Sequence, residues 1–293
     1  MTKEPASRRN AIVTTSHAPD FERCALLCDS IDRHVTGFDK HYILVASRDV
    51  ALFRKLEGPQ RVVVDEADIL PRWLHVFPDP LKWGRRPVWL SLRTAPLHGW
   101  QVQQLRQIAI VEHIDEHAMM HCDSDTAFVR PYDLGSAWQG DLLRLYRQEN
   151  GLAEAKDDHE FWVEAAARVF GLPREAMNGH DYVSTHIHWR ADTVRAMCRH
   201  VERVTGRHWL AAIGRTRKFS ECMFYGHFAD DVSGGEGHYH DDRPLCRIHW
   251  FAPPPSSEEL ADWIAGIAEE QVAVGIQSYI PIDTAEFRRA LGL

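Results

Sequence analysis

Hydrophobic and polar positions follow two periods in the first part of the chain. Residues 11–16, 41–46 and 61–65 are short apolar runs bounded by turn residues, the pattern of strands covered on both faces. Between the first two, Phe21, Cys24, Leu27, Cys28 and Ile31 recur at intervals of three and four, which predicts an amphipathic helix over residues 21–35 opened at Asp20. A shorter helix is predicted from residues 47–49 through Leu56. Strand, helix, strand, helix, strand with short connections predicts an α/β fold whose central sheet is mostly parallel, with helices on both faces. Ligands in such sheets collect at the carboxyl ends of the strands, where Thr14, Thr15, Ser16, Ser47 and Asp65 fall.

From Pro71 to Trp100 the periodicity fails, and five prolines interleave with Trp73, Trp83, Trp89 and Trp100. This predicts a long irregular loop, either a rigid cover or a functional segment bordering a ligand cleft. A helix over residues 99–110, with Val102, Leu105, Ile108 and Ala109 on one side, then leads into an apolar run from Ala118 that ends in Asp123-Ser124-Asp125. Further on, helices are predicted over residues 157–170, residues 191–204 capped by Gly206, from Ser220 onward, and from Leu260 behind the capping-box-like Ser256-Ser257-Glu258-Glu259. Residues 182–189 and 245–250 read as strands, and residues 233–242 as a mobile Gly- and His-rich segment. One domain is expected over residues 11–293, in two halves (11–130 and 131–293), after a disordered tail over residues 1–10.

The acidic tip changes this picture most. In extended backbone, side chains at i and i+2 point the same way, so Asp123 and Asp125 are expected to face one cation while Ser124 points elsewhere. Two carboxylates on such a tip suit Mg²⁺ or Mn²⁺ shared with a substrate's phosphate oxygens. The alternative is a solvated Asp-Ser-Asp turn.

Composition narrows the partners. With 44% hydrophobic and 26% charged residues the chain is ordinary globular protein, and a formal charge of −8 with scattered Lys and Arg argues against nucleic acid. Six dispersed cysteines form no disulfide or zinc framework, which together with a polar N-terminus points to the cytoplasm. No run approaches the roughly 18 apolar residues of a membrane span.

Taken together, Val13-Thr14-Thr15-Ser16 with Asp20, Gly99-Trp100 with Gln103-Gln104, Asp123-Ser124-Asp125, and Phe219-Ser220-Glu221 with Tyr225-Gly226 resemble the nucleotide-diphosphosugar transferases of the GT-A fold. More narrowly, they are similar to bacterial glycosyltransferase-like proteins of unassigned substrate. The resemblance implies a single GT-A, Rossmann-like domain that moves a sugar from a nucleoside-diphosphate sugar, a UDP-sugar by preference, to a saccharide or other hydroxyl acceptor. It implies Mn²⁺ or Mg²⁺ on Asp123 and Asp125, with a histidine completing the shell. His249 is the first choice, with His238 and His240 also available. Thr14, Thr15 and Asp20 would face the nucleotide, and Gln103, Gln104, Arg106 and Ser124 the donor sugar or phosphates. Glu221 is the candidate base, or else a helix-start glutamate, and Asp157-Asp158 is a second candidate or a helix cap.

Three other functions fit parts of the pattern. A haloacid dehalogenase-type phosphatase would use Asp123 and Asp125 with Lys218 and Asp241-Asp242, though its nucleophile loop normally begins the domain. A zinc hydrolase would use His186, His188, His238 and His240. A carbohydrate- or nucleotide-binding protein of the same fold would bind without turnover.

Overall fold

The computed structural model describes residues 8–84, 86–154 and 157–293. It is a mixed α/β protein. A five-stranded sheet runs in the order Ile187–Arg190, Ala118–His121, Asn10–Thr15, Lys40–Val45, Arg61–Asp65. The four later strands of that order pair in parallel, and Ile187–Arg190 adds to the edge antiparallel.

Alternation along the strands divides the core. Ala11, Val13 and Met119 join the cluster that includes Val102, Leu105 and Ile108 of helix Gly99–Ala109. Ile12 and Met120, one residue out of phase, join Leu27 and Ile31 of helix Phe21–His34 on the opposite face. Both faces are therefore covered, which is why these strands read as unbroken apolar runs.

The chain builds outward from Asn10–Thr15 to one side, through Lys40–Val45 to Arg61–Asp65, and then returns to the other side as Ala118–His121. The strand order thus reverses between Asn10–Thr15 and Ala118–His121. In open α/β sheets such a switch point leaves a crevice at the carboxyl ends of the strands.

Two smaller sheets flank this one. Cys246–His249, Ala273–Ile276 and Thr126–Phe128 form one; Trp138–Gln139, Leu142–Tyr146 and His238–Asp241 form the other. The segment read as mobile therefore supplies a strand, because His238–Asp241 pairs in parallel with Leu142–Tyr146. The segment read as an irregular loop holds an antiparallel hairpin, His75–Pro78 with Pro87–Leu90, whose prolines sit at the strand ends where no ladder donor is required. Residues 182–186 precede the strand at Ile187 instead of belonging to it, and the last predicted helix begins at Ser257, with Ser256 and Glu259 forming the capping box. Of the tail expected over residues 1–10, residues 1–7 lie outside the described residues. Arg9 donates to the Asp115 carbonyl at 2.7 Å, and Asn10 already belongs to the first strand.

Candidate active site

The acidic tip is a turn between two sheets. Strand Ala118–His121 ends in the central sheet, strand Thr126–Phe128 begins in the Cys246–His249 sheet, and Asp123-Ser124-Asp125 joins them. The turn is closed by the Thr126 N–H and hydroxyl, which donate to the Asp123 carbonyl at 3.2 and 2.7 Å. The expectation of extended backbone is corrected here: the chain has to change sheets between His121 and Thr126, so i, i+2 alternation does not set the two carboxylates. They nevertheless feel each other's charge.

Neither aspartate forms an ion pair among the described residues. Both are only partly exposed. Burial pushes Asp123 up to about 6. Asp125 is pushed up to about 7, first by burial and then by the charge of Asp123, while the Ser278 N–H and Arg23 pull the other way. The Ser278 N–H donates to Asp125 Oδ2 at 2.7 Å, so a segment from the far end of the chain clasps the turn.

A third carboxyl arrives from helix Glu221–His227. Ser220 caps this helix by accepting the Met223 N–H at 3.4 Å, which sets Glu221 at the first helical position. Phe219, Met223 and Phe224 are fully buried and anchor the helix start. The Glu221 N–H donates to the side-chain oxygen of Gln104 at 3.1 Å. Burial pushes the Glu221 carboxyl up to about 8, the charge of Asp123 adds to this, and the N–H groups of Glu221 and Cys222 oppose it. The charge of Asp123 thus reaches Glu221, which lies about a hundred residues away in sequence.

The remaining predicted residues divide. Thr14 and Thr15 are buried at the end of the first strand, where Thr14 Oγ1 meets His41 Nε2 at 3.0 Å and Thr15 Oγ1 accepts from Gln107 Nε2 at 3.1 Å. Asp20 pairs with His17 at 3.1 Å and, with Ser278 and Arg23, lines a cleft of about 550 Å³ next to the turn. Ser124 is buried within the turn. Gln103 is partly exposed on its helix.

Arg106 is engaged elsewhere. Its guanidinium is buried and donates to Glu66 Oε2, one of the two bonds at 3.1 Å, which leaves Glu66 in the place expected for a phosphate. Asp158 sits in an exposed pair with Lys218 at 2.6 Å, and the Asp157 side chain lies outside what the structure describes.

The histidines are similarly occupied. His249 ends its strand beside Ile276, but its Nε2 bonds the Pro253 carbonyl at 2.8 Å. His238 bonds Tyr225 at 2.7 Å and His240 bonds Asp230 at 2.8 Å. His186 and His188 are buried, and burial holds His186 down to about 3 and His188 well below its ordinary value. Among the described residues no group of three or more His, Cys, Asp and Glu side chains is placed to hold a metal ion, so no histidine closes a shell with the aspartates. Asp123 and Asp125 do suit a hard divalent cation: they are oxygen donors two residues apart that feel each other's charge, largely desolvated and without a counter-charge at ion-pair distance.

Sequence reasoning did not find Ser278, Gln107 or the 278–284 wall of the cleft. Ser278 acts through a backbone N–H, which leaves no compositional trace. Gln107 carried a readable signal, because it lies one turn beyond Gln103-Gln104.

These observations define a mixed α/β protein with an Asp123-Ser124-Asp125 turn beside the switch point of its sheet, in which the charge of Asp123 acts on both Asp125 and Glu221. The chain belongs to a family of unknown function, DUF6492, whose model matches residues 10–261. No curated protein matches it. The matched region includes the turn, Gln104 and Glu221, and stops before Ser278.

Proposed function

We propose that this protein is a metal-dependent glycosyltransferase of the GT-A type, transferring a sugar from a nucleoside-diphosphate sugar to a hydroxyl acceptor. The observation that carries the reading is the Asp123-Ser124-Asp125 turn at the carboxyl end of strand Ala118–His121, beside the switch point, its two carboxyls desolvated and without ion-pair partners among the described residues, with Glu221 within reach of the Asp123 charge. Chemistry on an anionic leaving group calls for a carboxylate pair that can share a cation, and transfer to a hydroxyl calls for a separate proton acceptor.

Asp123 and Asp125 would hold Mn²⁺ or Mg²⁺, which when bound supplies Lewis-acid neutralisation of charge on the departing nucleoside diphosphate. Asp20, on the wall of the cleft, would bound the nucleotide, while Thr14 and Thr15, buried and bonded to His41 and Gln107, would support the strand end. Glu221 would take the acceptor's proton if configuration inverts, and orient the acceptor if it is retained. With burial raising its carboxyl to about 8, Glu221 would accept a proton in its ionised form, so turnover in the inverting case should rise with pH through that value.

A thermal-shift panel of nucleoside diphosphates and nucleotide sugars, with and without Mn²⁺, tests the reading. At least one donor is expected to stabilise the protein only when the cation is present. A panel in which no nucleotide stabilises it, with Mn²⁺ or Mg²⁺, would refute the assignment.

A further inference from the structure

Seven of the thirteen large apolar side chains that are exposed among the described residues fall between Val76 and Trp100. Strand His75–Pro78 is exposed along its whole length. Its neighbours Val76 and Phe77 point to opposite faces, yet both stand about half exposed, so neither face of the strand is packed on the body. Beyond it, Leu81 and Trp83 at the hairpin tip are 85% and 90% exposed. Trp83 has φ +53°, a left-handed conformation unfavourable for a bulky residue, so the backbone is strained where this indole is turned outward.

The same segment reverses the charge of the chain. Residues 71–100 contain five Lys and Arg (Arg72, Lys82, Arg85, Arg86 and Arg93) against one acid, Asp79, in a protein whose formal charge is −8. Asp79 offsets only one of the five, and its buried carboxylate accepts the Leu81 N–H at 2.9 Å. Lys82 and Arg86 are exposed near the apolar tip.

We propose that this hairpin docks on an anionic lipid surface, with Leu81 and Trp83 in the interfacial layer and Lys82 and Arg86 against the headgroups. Tryptophan and leucine at a cationic tip match the chemistry of that boundary, apolar within and negatively charged above. A second copy of the chain is a poorer occupant, since a symmetric pairing would bring like charges together. The proposal is independent of the reaction assigned to the site.

Co-sedimentation of the full chain with phosphatidylcholine vesicles, and with the same vesicles doped with phosphatidylglycerol, tests it. The wild-type protein is expected to bind the doped vesicles, more weakly as salt rises, and to leave neutral vesicles largely unbound. The variant Leu81→Ser/Trp83→Ser should lose at least ~10-fold in binding with its melting temperature unchanged, since both side chains are exposed. Lys82→Glu/Arg86→Glu should lose ~25-fold or more, at roughly fivefold per cationic residue. No binding to anionic vesicles would overturn the proposal, as would binding that both variants retain. A wild-type dimer that the apolar variant dissociates, without vesicle binding by either, would overturn it in favour of self-association.

Discussion

The side-chain oxygen of Gln104 accepts the backbone N–H of Glu221 at 3.1 Å, joining the helix that covers the sheet to the helix that presents the third carboxyl. The first N–H groups of a helix have no partner within it, so this bond satisfies one that would otherwise be left open. Gln104→Leu removes the acceptor without a large change of volume. Because it also removes the Gln104 Nε2, which is buried without a partner among the described residues, the net loss of stability should be about 0.5–1.5 kcal/mol. Equilibrium denaturation checks this, and wild-type stability in the variant would mean that the bond contributes nothing.

Three carboxyls with raised values make stability fall as pH rises. Asp123, Asp125 and Glu221 sit near 6, 7 and 8 in the folded protein and ionise lower in the unfolded chain. Between the unfolded and folded values the native state binds more protons, so the metal-free protein should lose stability as pH rises from about 4 to 8. Asp125→Asn should therefore melt higher than wild type at pH 8 without metal, and the two should converge at pH 4. Equal melting temperatures across that range would contradict the desolvated placement of Asp125.

Gly226 is required by its neighbour. A Cβ there would lie 2.0 Å from Tyr182 Cγ, and the Tyr182 hydroxyl is fixed by Asp230 Oδ2 and Asn178 Nδ2, each at 2.7 Å. The ring cannot withdraw without breaking those bonds. Gly226→Ala should cost at least the ~1–3 kcal/mol of an overpacked core, read by denaturation. Unchanged stability would place the ring elsewhere.

Glu221→Gln separates catalysis from binding. Glutamine keeps the shape and hydrogen bonding of glutamate but accepts no proton. If Glu221 is the base, turnover should fall ~10²–10⁴-fold with donor affinity nearly unchanged, and the limb of the pH–rate profile that rises through the Glu221 ionisation should disappear. Wild-type turnover in the variant would leave Glu221 as a helix-start residue.

Much of this was legible in the chain because local pattern and tertiary structure agree. The strands near Ile12 and Ile43 are buried on both faces and the edge strand near Val63 is half-buried, so all three read as apolar runs, and the stripe of Val102, Leu105 and Ile108 marks a buried helix face. Illegible features depend on distant partners. Strand Ala273–Ile276 exists because it pairs with both Thr126–Phe128 and Cys246–His249, and Ala-Val-Gly-Ile alone is too short to declare a strand. Gly275 admits this packing, since a Cβ there would lie 2.6 Å from Ile248 Cδ1 and 2.8 Å from Thr126 Cγ2. Within the site, Asp123 and Glu221 could be named from sequence, but Arg106 could not be placed, because a buried pair with Glu66 and a free phosphate ligand look the same along the chain.

Calorimetric titration of the donor selected by the thermal-shift panel, into wild type and Asp125→Asn with and without Mn²⁺, tests the site most directly. Wild type should bind the nucleotide sugar only with Mn²⁺, and Asp125→Asn should lose that binding while its melting temperature is not lowered. Donor affinity that is equal in the two proteins, or that is indifferent to Mn²⁺, would contradict a cation site on Asp123 and Asp125.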